Sequence, residues 1–173
     1  LLYVPGQYIE LTVPHKKMDF RGMRRSFSLT SVPGNKEVSL GIKFYEPSSS
    51  LKRALKSMKK GDVLTATRIA GDFVLPKNTR EPLLLVAGGI GITPFISHLK
   101  TLKDGPRDIV LVYAVSSPGE IAYKALLEGS AIRVIIVSPE RPKNLPKGWL
   151  FSKSDRIDFE YVAEKVEDFK ART

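Results

Sequence analysis

The sequence predicts a β plus α/β protein. Residues 1–80 read as a small antiparallel Greek-key barrel, and residues 81–173 as a parallel, doubly wound α/β unit. Three observations predict this. Short β-type runs broken by turn residues fill the first half. Continuous apolar runs alternating with helical patterns fill the second. A Gly-rich turn joins the first of those apolar runs to a helix start.

In the first half the candidate strands are Tyr8–Val13, Arg25–Thr30, Val38–Phe44 and Val63–Arg68. Pro5-Gly6, Pro33-Gly34-Asn35 and Gly61-Asp62 punctuate them. Leu51, Ala54, Leu55 and Met58 recur at helical spacing, so one helix interrupts the strands. The boundary between the halves is expected near Pro76–Glu81. Beyond it, Pro82–Ala87, Ile109–Ala114 and Ile132–Val137 have the length and composition of buried parallel strands. Helices are expected after the first run, to about Lys103, and near Gly119–Leu127. A last helix over Asp158–Lys170 carries Phe159, Val162, Val166 and Phe169 on one side. Ser138–Gly148, rich in Lys, Arg and Pro, reads as a surface loop.

Composition narrows the chemistry. A hydrophobic fraction of 42% supports a core. With no cysteine, the chain has no disulfide, no thiolate nucleophile and no iron–sulfur cluster held by its own thiolates. His15 and His98 lie far apart and read as ordinary side chains, not as a metal pair. The net charge of +10 is uneven: residues 1–80 carry 15 Lys/Arg against 6 Asp/Glu, and residues 81–173 carry 13 against 12. The first half should attract phosphates, an acidic protein or a membrane surface. Nucleic acid is not expected, because no recognition motif accompanies the basic residues. No apolar run approaches 18 residues, so no transmembrane segment is expected. The start at Leu1 lacks the features of a signal peptide and lacks Met, which predicts a trimmed piece of a cytoplasmic protein.

The most informative stretch is Leu83-Leu84-Leu85-Val86-Ala87-Gly88-Gly89-Ile90-Gly91-Ile92-Thr93-Pro94. Thr93 suits a helix N-cap and Pro94 the first helical position. Gly88, Gly89 and Gly91 would let the backbone approach a diphosphate closely, and the helix start would offer it free N–H groups. A strand–turn–helix of this kind fits a nucleotide site or a purely structural tight turn. Its spacing is not that of the common Rossmann fingerprint.

The full string Ala87-Gly88-Gly89-Ile90-Gly91-Ile92-Thr93-Pro94 resembles the nicotinamide-binding entry motif of the ferredoxin–NADP reductase superfamily. The resemblance extends through most of the chain. Pro5-Gly6-Gln7-Tyr8 looks like a barrel strand of that family, and Arg25-Ser26-Phe27-Ser28 resembles its Arg-x-Tyr-Ser/Thr flavin motif. It implies that Arg25 pairs with the FAD diphosphate, Phe27 packs on the flavin ring, and Ser28 sits nearest the reactive flavin nitrogen as the catalytic group. Phe27 replaces the usual Tyr, keeping the stacking face and losing a hydroxyl. Read from the residues alone, Arg25–Ser31 is equally an amphipathic strand with Phe27 and Leu29 facing the core. Asp19, Arg21-Gly22 and Arg24 look like a bacterial branch of the family. The family's Gly-x-x-Ser/Thr loop corresponds to Pro47–Leu51, where the glycine is missing. Ser49 and Ser50 at the helix N-terminus are the expected phosphate ligands, with Lys52 assisting and Lys43 in the same cofactor-binding set.

The resemblance implies FAD together with NAD or NADP. It also implies passage of hydride or electrons between them and an external partner, either an acidic electron-carrier protein or a membrane redox domain. Ser116 is placed to meet the adenosine ribose or its 2′-phosphate. No Arg follows it, and Lys124 lies beyond Glu120, so the choice of nicotinamide stays open. A first barrel strand before Leu1 and a family strand ending in Gly-Pro after Thr173 are expected to lie outside this sequence. The alternative is a non-catalytic flavin- or nucleotide-binding subunit of a larger complex.

Overall fold

A computed structural model describes residues 1–102, 105 and 107–173. Its first half holds an antiparallel sheet in the order β2-β1-β3, formed by β1 (Tyr8–Thr12), β2 (Arg24–Ser28) and β3 (Thr65–Ala70). Ile9 and Leu11 alternate inward from β1 and meet Leu29, with Phe27, Leu40 and Ile69 packed around them. The expected strand Val38–Phe44 contributes only an isolated bridge, Leu40 to Leu29. Past Leu40 the backbone leaves the sheet, and Gly41 runs close to Thr93 and Tyr123 of the second half. Helix α1 (Ser50–Ser57) begins where its spacing predicts.

The second half holds a parallel sheet in the order β4-β5-β6-β7: β4 (Leu83–Gly88), β5 (Ile109–Ala114), β6 (Arg133–Ser138) and β7 (Leu150–Lys153). β5 and β6 are central and buried almost throughout, as their unbroken apolar sequences predict. β7 was not anticipated from the sequence: Leu-Phe-Ser-Lys is a short edge strand with one neighbour and little pattern. Helices α2 (Thr93–Thr101) and α3 (Lys124–Glu128) cover one face, with Ile92, Phe95, Ile96, Leu99 and Leu127 against the sheet. Helix α4 (Phe159–Lys165) covers the other through Val162, with Val166 just past its end. Helices on both faces make the sheet doubly wound. Thr173 hydrogen-bonds to Pro82 and Leu84, on the edge of β4 away from β5.

Two helices are shorter than expected. Ahead of α3, Pro118–Glu120 forms a 3-10 turn, and Tyr123 takes a left-handed φ of 56° that stops the two from fusing. The last helix breaks at Val166 before a 3-10 turn over Phe169–Ala171. The expected end of the second-half entry helix at Lys103 falls outside the described residues.

Helix α2 joins the halves. Its Ser97 hydroxyl donates to Ser31 O at 2.7 Å, and Lys100 Nζ donates to Thr30 O at 2.8 Å. The His98 ring lies 3.1 Å from the Phe73 carbonyl through Nε2, which must carry the proton because a carbonyl only accepts. Phe73 meets Phe95 edge-on at 5.2 Å. Gly6, at φ 91°, lies against the same carbonyl and ring, and a Cβ there would strike both. Arg107 secures the connecting segment by donating to Asn78 O and Glu81 O.

Burial pushes the His98 imidazole below its ordinary value of 6.5, against a smaller opposing effect of the Phe73 hydrogen bond. The native ring is neutral, so the unfolded chain binds more protons below that value. Stability from His98 should therefore be complete above pH 6.5 and decline as pH falls through the window beneath it. Denaturant titrations across that window should show the decline in wild type and a flatter profile in His98→Gln.

Candidate functional site

A cleft of about 290 Å³ opens where the two halves meet. β2 supplies Arg25, Ser26, Phe27 and Ser28 to it, and the segment after the Leu40 bridge supplies Gly41, Ile42 and Lys43. The start of α1 adds Ser49, Leu51 and Lys52. Ile90 and Thr93, from the Gly-rich turn, close it from the α/β side. With Arg21, four cations line the cleft and no carboxylate does. Phe27 does two things the sequence reading held as alternatives: it packs against the barrel core and it lines the cleft.

The cations are held in different ways. Arg25 donates through Nη1 to the carbonyls of Arg21 and Arg24, while its Nη2 is buried with no hydrogen-bond partner. Asp19 is 3.9 Å from that nitrogen, too far for a hydrogen bond. Lys52 donates to Lys43 O at 2.6 Å and sits 4.4 Å from the centre of the Tyr45 ring. Lys43 reaches across to Glu120 at 2.9 Å, an ion pair linking the cleft wall to the α/β half.

Ser50 lies off the cleft. Its hydroxyl is taken by His15 Nε2 at 2.9 Å and by the Asp19 N–H at 3.0 Å, and its own N–H donates to Asp19 at 2.9 Å. Asp19 is thus the anion at the N-terminus of α1. The Ser50 N–H foremost, with that of Arg21, holds its carboxyl below the usual range. Ser49 Oγ accepts from Lys52 N at 3.3 Å and still lines the cleft. Sequence reasoning missed Gly41, Ile42 and the Glu120 contact, all products of long-range packing that no local motif signals.

Gly88 and Gly89 line a second crevice, of about 370 Å³, at the carboxyl ends of the parallel strands. Ser116 lines it after β5, and Ser154 and Asp155 line it after β7. Gly91 is exposed in the turn, and Pro94 is the second residue of α2. Thr93 does not cap the helix: residues 89–92 wind into a 3-10 turn first, and its hydroxyl donates back to Ile90 O at 3.0 Å. Among the described residues no cluster of His, Asp and Glu could hold a metal ion, and no helix is long and apolar enough to cross a membrane.

An antiparallel barrel-type sheet and a doubly wound sheet of the kind that binds nucleotides at its strand ends meet at a cationic cleft, a two-part architecture. The oxidoreductase NAD-binding domain family matches residues 85–135. The flavohemoprotein of Bacillus cereus is 32% identical over 129 residues, covering 70% of this chain and 32% of that protein. Two solved structures share the fold. One is the flavohem-like FAD/NAD binding domain of nitric oxide dioxygenase from Vibrio cholerae, with TM-score 0.70 and 24% identity, over 92% of this chain and 68% of that one. The other is ferredoxin–NADP+ reductase from Plasmodium falciparum with 2′P-AMP, with TM-score 0.71 and 23% identity, over 97% and 67%. The chain belongs to the ferredoxin–NADP reductase-like superfamily. It spans about a third of the length of the flavohemoproteins of Bacillus cereus and Bacillus thuringiensis.

The cleft wall at Gly41 is closely packed. A Cβ there would collide with Thr93 Cγ2 and the Tyr123 hydroxyl. Gly41→Ala should lower stability by about 1–3 kcal/mol, as overpacking does, read as a fall in denaturation midpoint. Gly119→Ala, with open space around it and no positive φ, should leave the midpoint nearly unchanged and serves as the comparison.

Proposed function

We propose that this chain is the reductase portion of a flavin-dependent NAD(P)H oxidoreductase. Residues 1–80 form the FAD-binding unit and residues 81–173 the nicotinamide-binding unit. The observation that carries this reading is the cleft, whose charged lining is wholly cationic and whose Arg25 keeps a buried Nη2 without a hydrogen-bond partner. The planar guanidinium of Arg25 matches a diphosphate in chemistry and charge. The flavohemoprotein relatives and the oxidoreductase domain match support the same assignment.

On this reading Arg25, with Lys52 and Ser49, binds the FAD diphosphate. Lys43 adds positive potential, tempered by Glu120. Ser26 and Phe27 line the approach of the ring system, Phe27 offering an apolar face fixed by the barrel core. Ser28 places a hydroxyl that donates or accepts where the flavin's reactive edge would lie. Gly88 and Gly89 let a dinucleotide diphosphate approach the end of β4. Gly91, Thr93 and Pro94 shape the turn that separates the two cavities, and Ser116 faces the adenosine side. Bound flavin would supply hydride acceptance from NAD(P)H and onward release of electrons. The onward partner is an acidic electron-carrier protein or a membrane redox domain, met in the cytoplasm. The basic first half suits either.

Purified chain mixed with FAD should develop a bound-flavin absorbance band that bleaches anaerobically with NADH or NADPH. Arg25→Ala should weaken flavin binding roughly 10- to 100-fold, the range of a lost charge-assisted hydrogen bond, with its circular dichroism unchanged. A folded protein that binds no flavin would overturn the assignment of Arg25, Phe27 and Ser28.

A further inference from the structure

One end of the antiparallel sheet carries a surface that is both apolar and cationic. Thr12 pairs with Arg24 of β2 and with Thr65 of β3, so the loop 13–23 and residues Val63 and Leu64 leave the sheet at the same end. In that loop Phe20 is 97% exposed, and Met18 and Met23 are exposed as well. Val63 is 88% exposed. Lys16, Lys17 and Arg21 flank Phe20 in sequence, Lys59 and Lys60 precede Val63, and all five are exposed.

The loop is braced. Asp19 accepts from the Ser50 N–H at 2.9 Å and from the Arg21 N–H at 3.0 Å, and the Gly22 N–H closes the turn on Asp19 O at 3.0 Å. His15 ties the other arm of the loop to Ser50 at 2.9 Å. Phe20 therefore stands in a four-residue turn, Asp19–Gly22, whose one carboxylate is already engaged by backbone N–H groups. Two other anions lie at this end. Asp62 accepts from the Lys59 N–H at 2.7 Å, and Glu10 is 3.6 Å from Arg24. Among the described residues, none of Lys16, Lys17, Lys59 and Lys60 is in an ion pair.

Arg21 lies 5.7 Å from the centre of the Phe20 ring and leaves the ring exposed, so its apolar area stays in water at a cost in free energy. The interface of an anionic bilayer satisfies both parts of this surface. Its acyl boundary takes up the ring and the methionines, and its headgroups meet the lysines. A soluble acidic protein would answer the cations and offer nothing general to the ring. We propose that this end of the sheet is a peripheral membrane contact, with Phe20 entering the interface and Lys16, Lys17, Lys59 and Lys60 binding anionic headgroups. Arg21 belongs both to this loop and to the cationic cleft, so a chain held in this way brings the cleft to the lipid surface. The contact does not require bound flavin.

The test is cosedimentation of the chain, with and without FAD, with vesicles of phosphatidylcholine alone or with about one third phosphatidylglycerol. Wild type should bind the anionic vesicles and not the neutral ones, and added salt should release it. Phe20→Ser should weaken binding about tenfold. Lys16→Gln and Lys17→Gln should each weaken it roughly fivefold. All three side chains are exposed, so circular dichroism should match wild type. Phe20→Trp adds an indole that acyl-brominated lipid should quench, while the buried Trp149 of wild type should stay unquenched. No binding to anionic vesicles overturns the contact and leaves the basic surface to an acidic protein. Binding that Phe20→Ser leaves unchanged, with the introduced indole unquenched, also overturns it. Binding that FAD abolishes overturns it too, and assigns Phe20 to the flavin site. Binding that persists in chain unable to take up FAD upholds the contact even where the flavin assignment fails.

Discussion

Helix α2 is wedged between two sheets and hydrogen-bonded to the one it does not belong to. Phe95, Ile96 and Leu99 bury against the parallel sheet, each contributing about 1.5–3 kcal/mol by removal from water. Ser97, His98 and Lys100, on the same nine-residue helix, bond to backbone carbonyls of the barrel half. Those three carbonyls belong to Ser31, Phe73 and Thr30, outside the barrel's ladder strands. A loop carbonyl buried without a partner would be costly, so the barrel's loops depend on α2 as much as α2 depends on its own sheet. The cleft exists because this helix fixes the distance between its walls.

Electrostatics then follow from placement. The excess of positive charge in the first half is not spread as a uniform solvated face. Arg21, Arg25, Lys43 and Lys52 converge on the cleft from four different segments. Asp19 is committed to the start of α1 and comes no nearer than 3.9 Å to Arg25 Nη2, so it partly offsets one cleft cation without lining the cleft. Its depressed proton affinity keeps it charged in that role. The α/β half, close to neutral overall, contributes to the crevice backbone, small side chains and one carboxylate, Asp155.

Much of the fold can be read locally. β5 and β6 are legible because burial on both faces leaves an unbroken apolar run, and α1 because its apolar spacing is regular. The Gly-rich turn is legible because its glycines, threonine and proline are all within one short string. What resists reading is set by partners distant in sequence. Val38–Phe44 has the composition of a strand, yet contact of Gly41 with the second half draws it out of the ladder. Ser50 has every local mark of an anion-binding helix start, yet Asp19 and His15 already occupy it. β7 is hidden because an edge strand of four residues carries too little hydrophobic pattern. The side chains of the flavin-type motif are thus legible by type, and their surroundings only by packing.

The turn from Gly88 to Thr93 is a thin partition with a cavity on each side. Its 3-10 winding is braced by the Thr93 hydroxyl on Ile90 O. A partition shared in this way cannot yield to one occupant without being felt by the other. If filling one chamber shifts the turn and changes affinity in the second, the reverse influence must have the same size, because linkage between two binding equilibria is reciprocal. The two halves of the molecule are in that sense a single thermodynamic instrument, tuned through six residues of backbone.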